Sequence, residues 1–266
     1  MKQKLLEYQN LVIDIYEEQG LNCLSGLDSM YLLNGKPLLR WHNDVTRKCA
    51  VKNYRHFDFS KNFDFSKNFD DILFCSDELL YFTALLFLYR PHINNPLQEA
   101  YDLSNEMLYP NIQNLYAKRY SMFADVAGQT TYNFWDRVGA MIASFFPNKK
   151  INPRNISFDK VVNEVIPKEF KNSPNYIWLE NFRNNEYAEL NRKRKEIVHY
   201  FTSDTDFKYN HLRKGVMDKE EMEKLQAERV GLADFYKNQI SLTFVGLEKT
   251  LLLLEEISDV LYNDIT

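Results

Sequence analysis

Between Leu179 and Phe201 the chain reads LENFRNNEYAELNRKRKEIVHYF, and within it Arg192, Lys193, Arg194 and Lys195 form a wholly basic run ahead of His199. These residue types suit work on a phosphodiester. A guanidinium offers parallel N–H donors to phosphate oxygens and offsets charge that develops in a transition state. An imidazole moves protons near neutral pH. On a helix, Tyr187, Leu190, Ile197 and Phe201 define an apolar stripe, and Arg194 falls inside it. A guanidinium there is costly unless it is paired or serves a site, and Glu186 and the acidic C-terminal helix are candidate counter-charges. His199 shares a helical face with Arg192 and Lys195, whereas Arg194 lies about 140° around from it. A structural role competes, because imidazolium at a helix C-terminus interacts favourably with the macrodipole.

Little else is arranged for chemistry. The sequence has no glycine-rich phosphate loop, GxSxG, HExxH or carboxylate-rich magnesium cluster. Of the remaining histidines, His42 and His56 have no partner at useful spacing. Cys23, Cys49 and Cys75 form no CxxC pair, which fits reduced thiols in a cytosol and gives no zinc-ligand pattern. Neither metal nor cofactor is expected.

Positioning these residues falls to helices. The chain has 266 residues, 45% hydrophobic and 26% charged, a balance that buries a core and excludes disorder, collagen-like structure and a disulfide scaffold. Eight Gly and eight Pro over this length favour long helices over a many-stranded sheet. A formal charge of -4 argues against non-specific coating of nucleic acid. The charge is uneven: residues 218–264 carry five basic and eleven acidic side chains, so positive potential concentrates around 183–199.

Residues 2–19 place Leu5, Tyr8, Val12 and Ile15 at helical spacing until Gly20 ends the run. Basic residues precede no usable apolar core there, and the longest apolar run, Phe82 to Tyr89, is far short of the roughly 20 residues of a membrane span. A cytoplasmic location without membrane contact is expected. Asn34-Gly35 marks a turn in a less regular stretch. FDFSKN then occurs twice in tandem, at 57–62 and 63–68, and reads as a duplication accommodated in a surface loop.

From Asp71 onward the pattern is helical, Ser76-Asp77-Glu78 predicts a helix start, and Arg90-Pro91 its end. Asn95-Pro96 opens another helix, which Pro110 divides, and 111–127 continue in helical rhythm. Residues 131–146 put Phe134, Val138, Met141 and Phe145 on one face, with Gly139, Ala140 and Ala143 small enough to admit a close neighbour. A polar loop at 147–157 precedes a short helix over 158–171. Ser173-Pro174 opens a helix running to about Phe201. Residues 218–264 form one or two long helices striped by Ile240, Phe244, Leu247, Leu251, Leu254 and Leu261. No run shows convincing β alternation. The fold class is all-α: a helical bundle over 71–266 behind a less regular region at 1–70.

Arg194 to His199 fits the spacing R-x4-6-H, and Arg192 to His199 fits its longer form. On this motif, its place late on a long helix, and the segment YNFWDRVGAMIASFF, the chain over roughly 75–264 resembles HEPN domains. The resemblance implies an HEPN-like bundle that acts as a metal-independent endoribonuclease. It also implies a homodimer whose two motifs form one composite cleft, which removes the difficulty that Arg194 and His199 are not cofacial. His199 would transfer protons during attack of a ribose 2′-hydroxyl on the adjacent phosphate, and Arg194 would hold that phosphate. Arg192, Lys195 and Tyr200 are the supporting candidates for substrate binding.

RNA is the implied substrate, a regulator or antitoxin a further partner, and stress, toxin or phage-defence RNA cleavage the setting. Two positions depart from the family pattern. Lys195 stands where Asn or another polar group is common, and Tyr200 directly follows His199, where some toxin members place Tyr two residues after. The alternative is a non-catalytic module of the same fold that binds RNA, a nucleotide or a protein such as a nucleotidyltransferase. A helical interaction protein with an accidental motif ranks behind it.

Overall fold

The computed structural model describes residues 2–22, 24, 32–33, 36–53, 65–103, 106–110, 113–146, 156–199, 202, 204–205, 207–208 and 219–262. Long helices dominate them: α1 (Lys2–Gln19), α2 (Leu38–Asn53), α3 (Phe65–Tyr89), α4 (Leu115–Ser144), a short α5 (Phe158–Lys160), α6 (Pro174–Asn184), α7 (Glu186–His199), α8 (Lys219–Val230) and α9 (Leu232–Tyr262). The all-α expectation holds. The described strands form only two small antiparallel pairs, β1 (Leu32–Leu33) with β2 (Lys36–Pro37) and β3 (Tyr101–Leu103) with β4 (Glu106–Leu108).

The chain divides into two compact units, one of Met1–Asn22, Glu78–Gln129 and Arg192–Ile240, the other of Cys23–Asp77, Thr130–Asn191 and Ser241–Thr266. In the first unit, α1 ends where the sequence places its stop. Gly20 takes φ 60, open to glycine at little cost, and the Leu21 N–H donates to the Tyr16 carbonyl at 2.8 Å. With Gly20 N–H on the Glu17 carbonyl, this satisfies two of the helix's terminal acceptors, and Leu21 is buried beside them. Asn114 opens α4, its Oδ1 accepting from Ala117 N–H at 2.8 Å. The buried Tyr120 hydroxyl donates to the Val230 carbonyl at 2.9 Å and accepts from Ala233 N–H at 3.1 Å, serving backbone groups on either side of the Gly231 break.

The second unit is built around Trp135. Its indole is fully buried, with ring centroids 5.2 Å from Phe134, 4.9 Å from Phe158 and 4.2 Å from Phe182. Gly139 admits a close neighbour as expected: a Cβ there would stand 2.9 Å from the Cα of Phe158. Phe134, Val138, Met141 and Phe145 are all buried, and so are Ile240, Leu247, Leu251 and Leu254 of the C-terminal stripe.

Four local expectations fail, each for a physical reason. α3 starts at Phe65, not at Ser76, because Phe69, Ile72, Leu79 and Leu86 carry one buried stripe through the Ser-Asp-Glu triplet. The last residues of the second FDFSKN copy are thereby helical rather than loop. Phe65 packs edge-on against Phe145 at 6.0 Å, and Asn68 Nδ2 donates to the Arg137 carbonyl at 3.2 Å. The first copy and residues 63–64 lie outside the described residues.

Asn95-Pro96 makes a turn instead of a helix. Asn95 Oδ1 accepts from Leu97 N–H, its carbonyl accepts from Gln98 N–H, and β3 and β4 occupy the stretch where helix was expected. The helix from Ser173 breaks at Asn185, where φ is -112 and ψ -87 and the side-chain amide donates to the Asn181 carbonyl at 2.8 Å. Neighbouring asparagines that hydrogen-bond locally favour such a break. The Ser173 cap itself forms, its Oγ accepting from Asn175 N–H at 3.1 Å. The segment Phe65–His92 is long and apolar enough to cross a membrane by length and composition, and 56% of its apolar window is buried inside the protein.

Candidate functional site

α7 carries the basic run, and its charges are ordered along the axis. Glu186 and Glu189 occupy the first turn, against the positive end of the helix dipole, and the four cations follow in the middle of the helix. Burial follows the spacing expected from the sequence. Tyr187 and Leu190 are buried, and Arg194 continues the same stripe half-buried, with its Nε shielded from solvent. Arg192 and Lys195 are exposed on the helix surface.

Lys193 sets its ammonium 5.0 Å from the centroid of the Phe235 ring on α9, a cation–π contact. Asp234, beside that ring in sequence, is engaged by Arg90 at 2.9 Å. His199 is the last residue of α7, and Arg192, seven residues earlier, lies on its helical face by the 3.6-residue period. The helix thus brings Arg192, Arg194, Lys195 and His199 onto one element, with the two arginines on different faces. Tyr200 lies outside the described residues.

Of the other imidazoles, the structure describes those of His42 and His92. His42 is buried and stacked on Phe69 with centroids 4.2 Å apart, and burial pushes its pKa down to about 4. It is neutral at pH 7. His92 is exposed, its ring 5.4 Å from that of Tyr116. His56 and His211 lie outside the described residues. Among the described residues, no three His, Cys, Asp or Glu side chains gather as metal ligands. Cys75 is a buried thiol.

One buried cation escapes a reading based on motifs. Arg229 sits in the last turn of α8 and is only 5% exposed. Counting charges over 218–264 conceals it. The spacing of Met222, Gln226 and Arg229, all buried, would have revealed it as a polar interruption of an inward face.

A family model described as HEPN_Cthe2314-like HEPN matches residues 78–257. The matched span includes all of α4, α6, α7 and α8, and with them Arg192, Arg194, Lys195 and His199. No curated protein and no solved structure matches the chain.

Proposed function

The chain belongs to the Cthe2314-like HEPN family, and we propose from that premise that it is a metal-independent endoribonuclease acting as a homodimer. The observation that carries this reading is the placement on α7, which holds Arg194 on the stripe of Tyr187 and Leu190, keeps Arg192 exposed, and reaches His199 at its end. A half-buried guanidinium is held in position by its surroundings, as a group that binds a scissile phosphate must be.

In the proposed reaction a ribose 2′-oxygen attacks the adjacent phosphorus and the P–O5′ bond breaks. A 2′,3′-cyclic phosphate and a 5′-hydroxyl result. The 2′-hydroxyl proton passes to an imidazole, and the departing 5′-oxygen receives a proton from an imidazolium. Each motif offers one histidine, His199, and the motif of a second copy supplies the other across a composite cleft. Arg194 holds the phosphate and offsets the charge that builds on its oxygens. Arg192, Lys195 and Tyr200 bind flanking phosphates. The setting is cytoplasmic RNA cleavage in stress, toxin action or phage defence, under a protein regulator or antitoxin.

The test is cleavage of RNA by purified protein in excess EDTA. Wild type should leave cyclic-phosphate ends, and His199→Ala should lose at least ~100-fold in rate, the usual scale of general acid–base catalysis. Arg194→Ala and Arg192→Ala, run side by side, identify the motif arginine as the one whose loss costs more. No cleavage, or equal cleavage by wild type and His199→Ala, refutes the mechanism. RNA binding without cleavage would then favour the non-catalytic reading.

A further inference from the structure

Arg229 is a buried permanent cation that makes no hydrogen bond among the described residues. Its three guanidinium nitrogens are shielded from solvent, and none has an acceptor among the described residues. Its Cζ stands 4.2 Å from the centroid of the Phe207 ring, which is itself 6% exposed and covers it. Gln226, one turn earlier on α8, is buried beside it in the helical sense. The Gln226 Nε2 donates to the Asn94 carbonyl at 3.5 Å, while its Oε1 has no donor among the described residues.

The described polar neighbours have partners besides Arg229. The charge of Asp204 reaches Arg229, but both carboxylate oxygens accept from the Gln113 amide, at 2.5 and 3.2 Å, in the amide orientation that satisfies both residues. The Tyr120 hydroxyl has its donor and its acceptor partner in the backbone. Burial lowers the pKa of Arg229, yet a guanidinium in a protein keeps its proton. Five N–H donors without acceptors among the described residues are an expensive thing to bury, and an oxyanion would satisfy them.

We propose that Arg229, with Gln226 and the Phe207 ring, forms a binding site for a phosphate group. The planar fork matches two phosphate oxygens, and Gln226 Oε1 accepts from the ligand's O–H, either the proton of a hydrogenphosphate or a neighbouring hydroxyl. The ligand reaches the guanidinium by turning Phe207 aside and exchanges a cation–π contact for an ion pair. Asp204 limits affinity by like-charge repulsion. The phosphate belongs to a free phosphate ester or to an RNA backbone. The site stands independently of cleavage at His199.

The experiment uses the full chain and titrates inorganic phosphate against chloride at equal ionic strength, followed by a nucleoside monophosphate and a short RNA. Thermal unfolding and calorimetry are the readouts. Wild type should show saturable stabilisation, which Arg229→Met loses and His199→Ala retains. Arg229→Lys, which keeps the charge should the apolar variant not fold, should bind at least ~10-fold more weakly because the fork is gone. Arg229-dependent binding of phosphate and the monophosphate alone assigns a free ester, and Arg229-dependent binding of RNA alone assigns the backbone. An equal phosphate response in wild type, Arg229→Met and Arg229→Lys overturns the proposal, as does a response that His199→Ala abolishes.

Discussion

Replacing Arg229 by Met in the ligand-free protein should make it more stable. Met keeps a long unbranched side chain for the space beside Phe207 and removes the charge. The loss side is small: a desolvated cation–π contact at 4.2 Å contributes ~2 kcal/mol, plus a modest attraction to Asp204. The gain side is larger. Three shielded nitrogens without acceptors among the described residues each forfeit hydrogen bonds to water at a cost of ~1–3 kcal/mol. Apolar replacement of buried charges elsewhere yields ~1–4 kcal/mol, and a central ~2 kcal/mol corresponds to a rise of about 4–8 °C in Tm for a chain of this size. Thermal melts and urea titrations in phosphate-free chloride buffer measure it, with an unchanged m-value showing that the unfolded state is the same. A fall of ~2 kcal/mol or more would refute the reasoning. It would mean that the guanidinium finds a permanent acceptor within the folded chain, and that its burial stabilises the fold.

The second unit supplies two further outcomes. Gly246→Ala gains about 1 kcal/mol of helix propensity, but its Cβ would collide with the Trp135 indole and stand 3.2 Å from Trp178. Phe158 and Phe182 back that indole, so overpacking of ~2–3 kcal/mol should win and lower Tm by about 2–8 °C; an unchanged or higher Tm contradicts this packing. His42 gives the fold an acid-side pH dependence. Its folded pKa of about 4 lies below the ordinary value of 6.5, so the unfolded chain binds its proton first as pH falls. The contribution is fully present above pH 6.5 and is lost progressively down to pH 4, about 3 kcal/mol in all. His42→Phe, which keeps the stack on Phe69, should flatten the stability profile between those values, and an equally steep profile in the variant would rule out His42 as its source.

The helical class was legible because its signals are local. Sparse Gly and Pro, the stop at Gly20, the cap at Ser173 and the stripes at Phe134 to Phe145 and Ile240 to Leu254 each come from spacing alone. Errors arose where local and tertiary preferences diverge. Ser76 looks like a cap by type, yet it is buried in mid-helix because the stripe from Phe69 onward has a core to bury against. Asn95-Pro96 carries the residue types of a turn and of a helix start, and the segment downstream decides between them: β3 and β4 pair Asp102 with Met107 while their residues stay largely exposed. Such a hairpin has no inward face, so no alternation was there to read.

The candidate site divides along the same line. Arg194 stands out by its position on the stripe of Tyr187 and Leu190, where a motif also falls, and burial follows that position. Arg229 has the same signal without a motif. It comes after Met222 and Gln226 at spacings of four and three, inside a helix whose net charge is acidic and whose polar residues look solvated when counted rather than placed. Net charge averages over a helix's circumference, whereas the cost of burying a cation depends on one face of it. An arginine on an apolar stripe therefore needs an acceptor that composition cannot supply. For Arg229 the acceptor proposed is a bound phosphate. That claim rests on electrostatics: a guanidinium cannot shed its proton, so a buried one is either matched by an anion or held at a cost that its removal recovers.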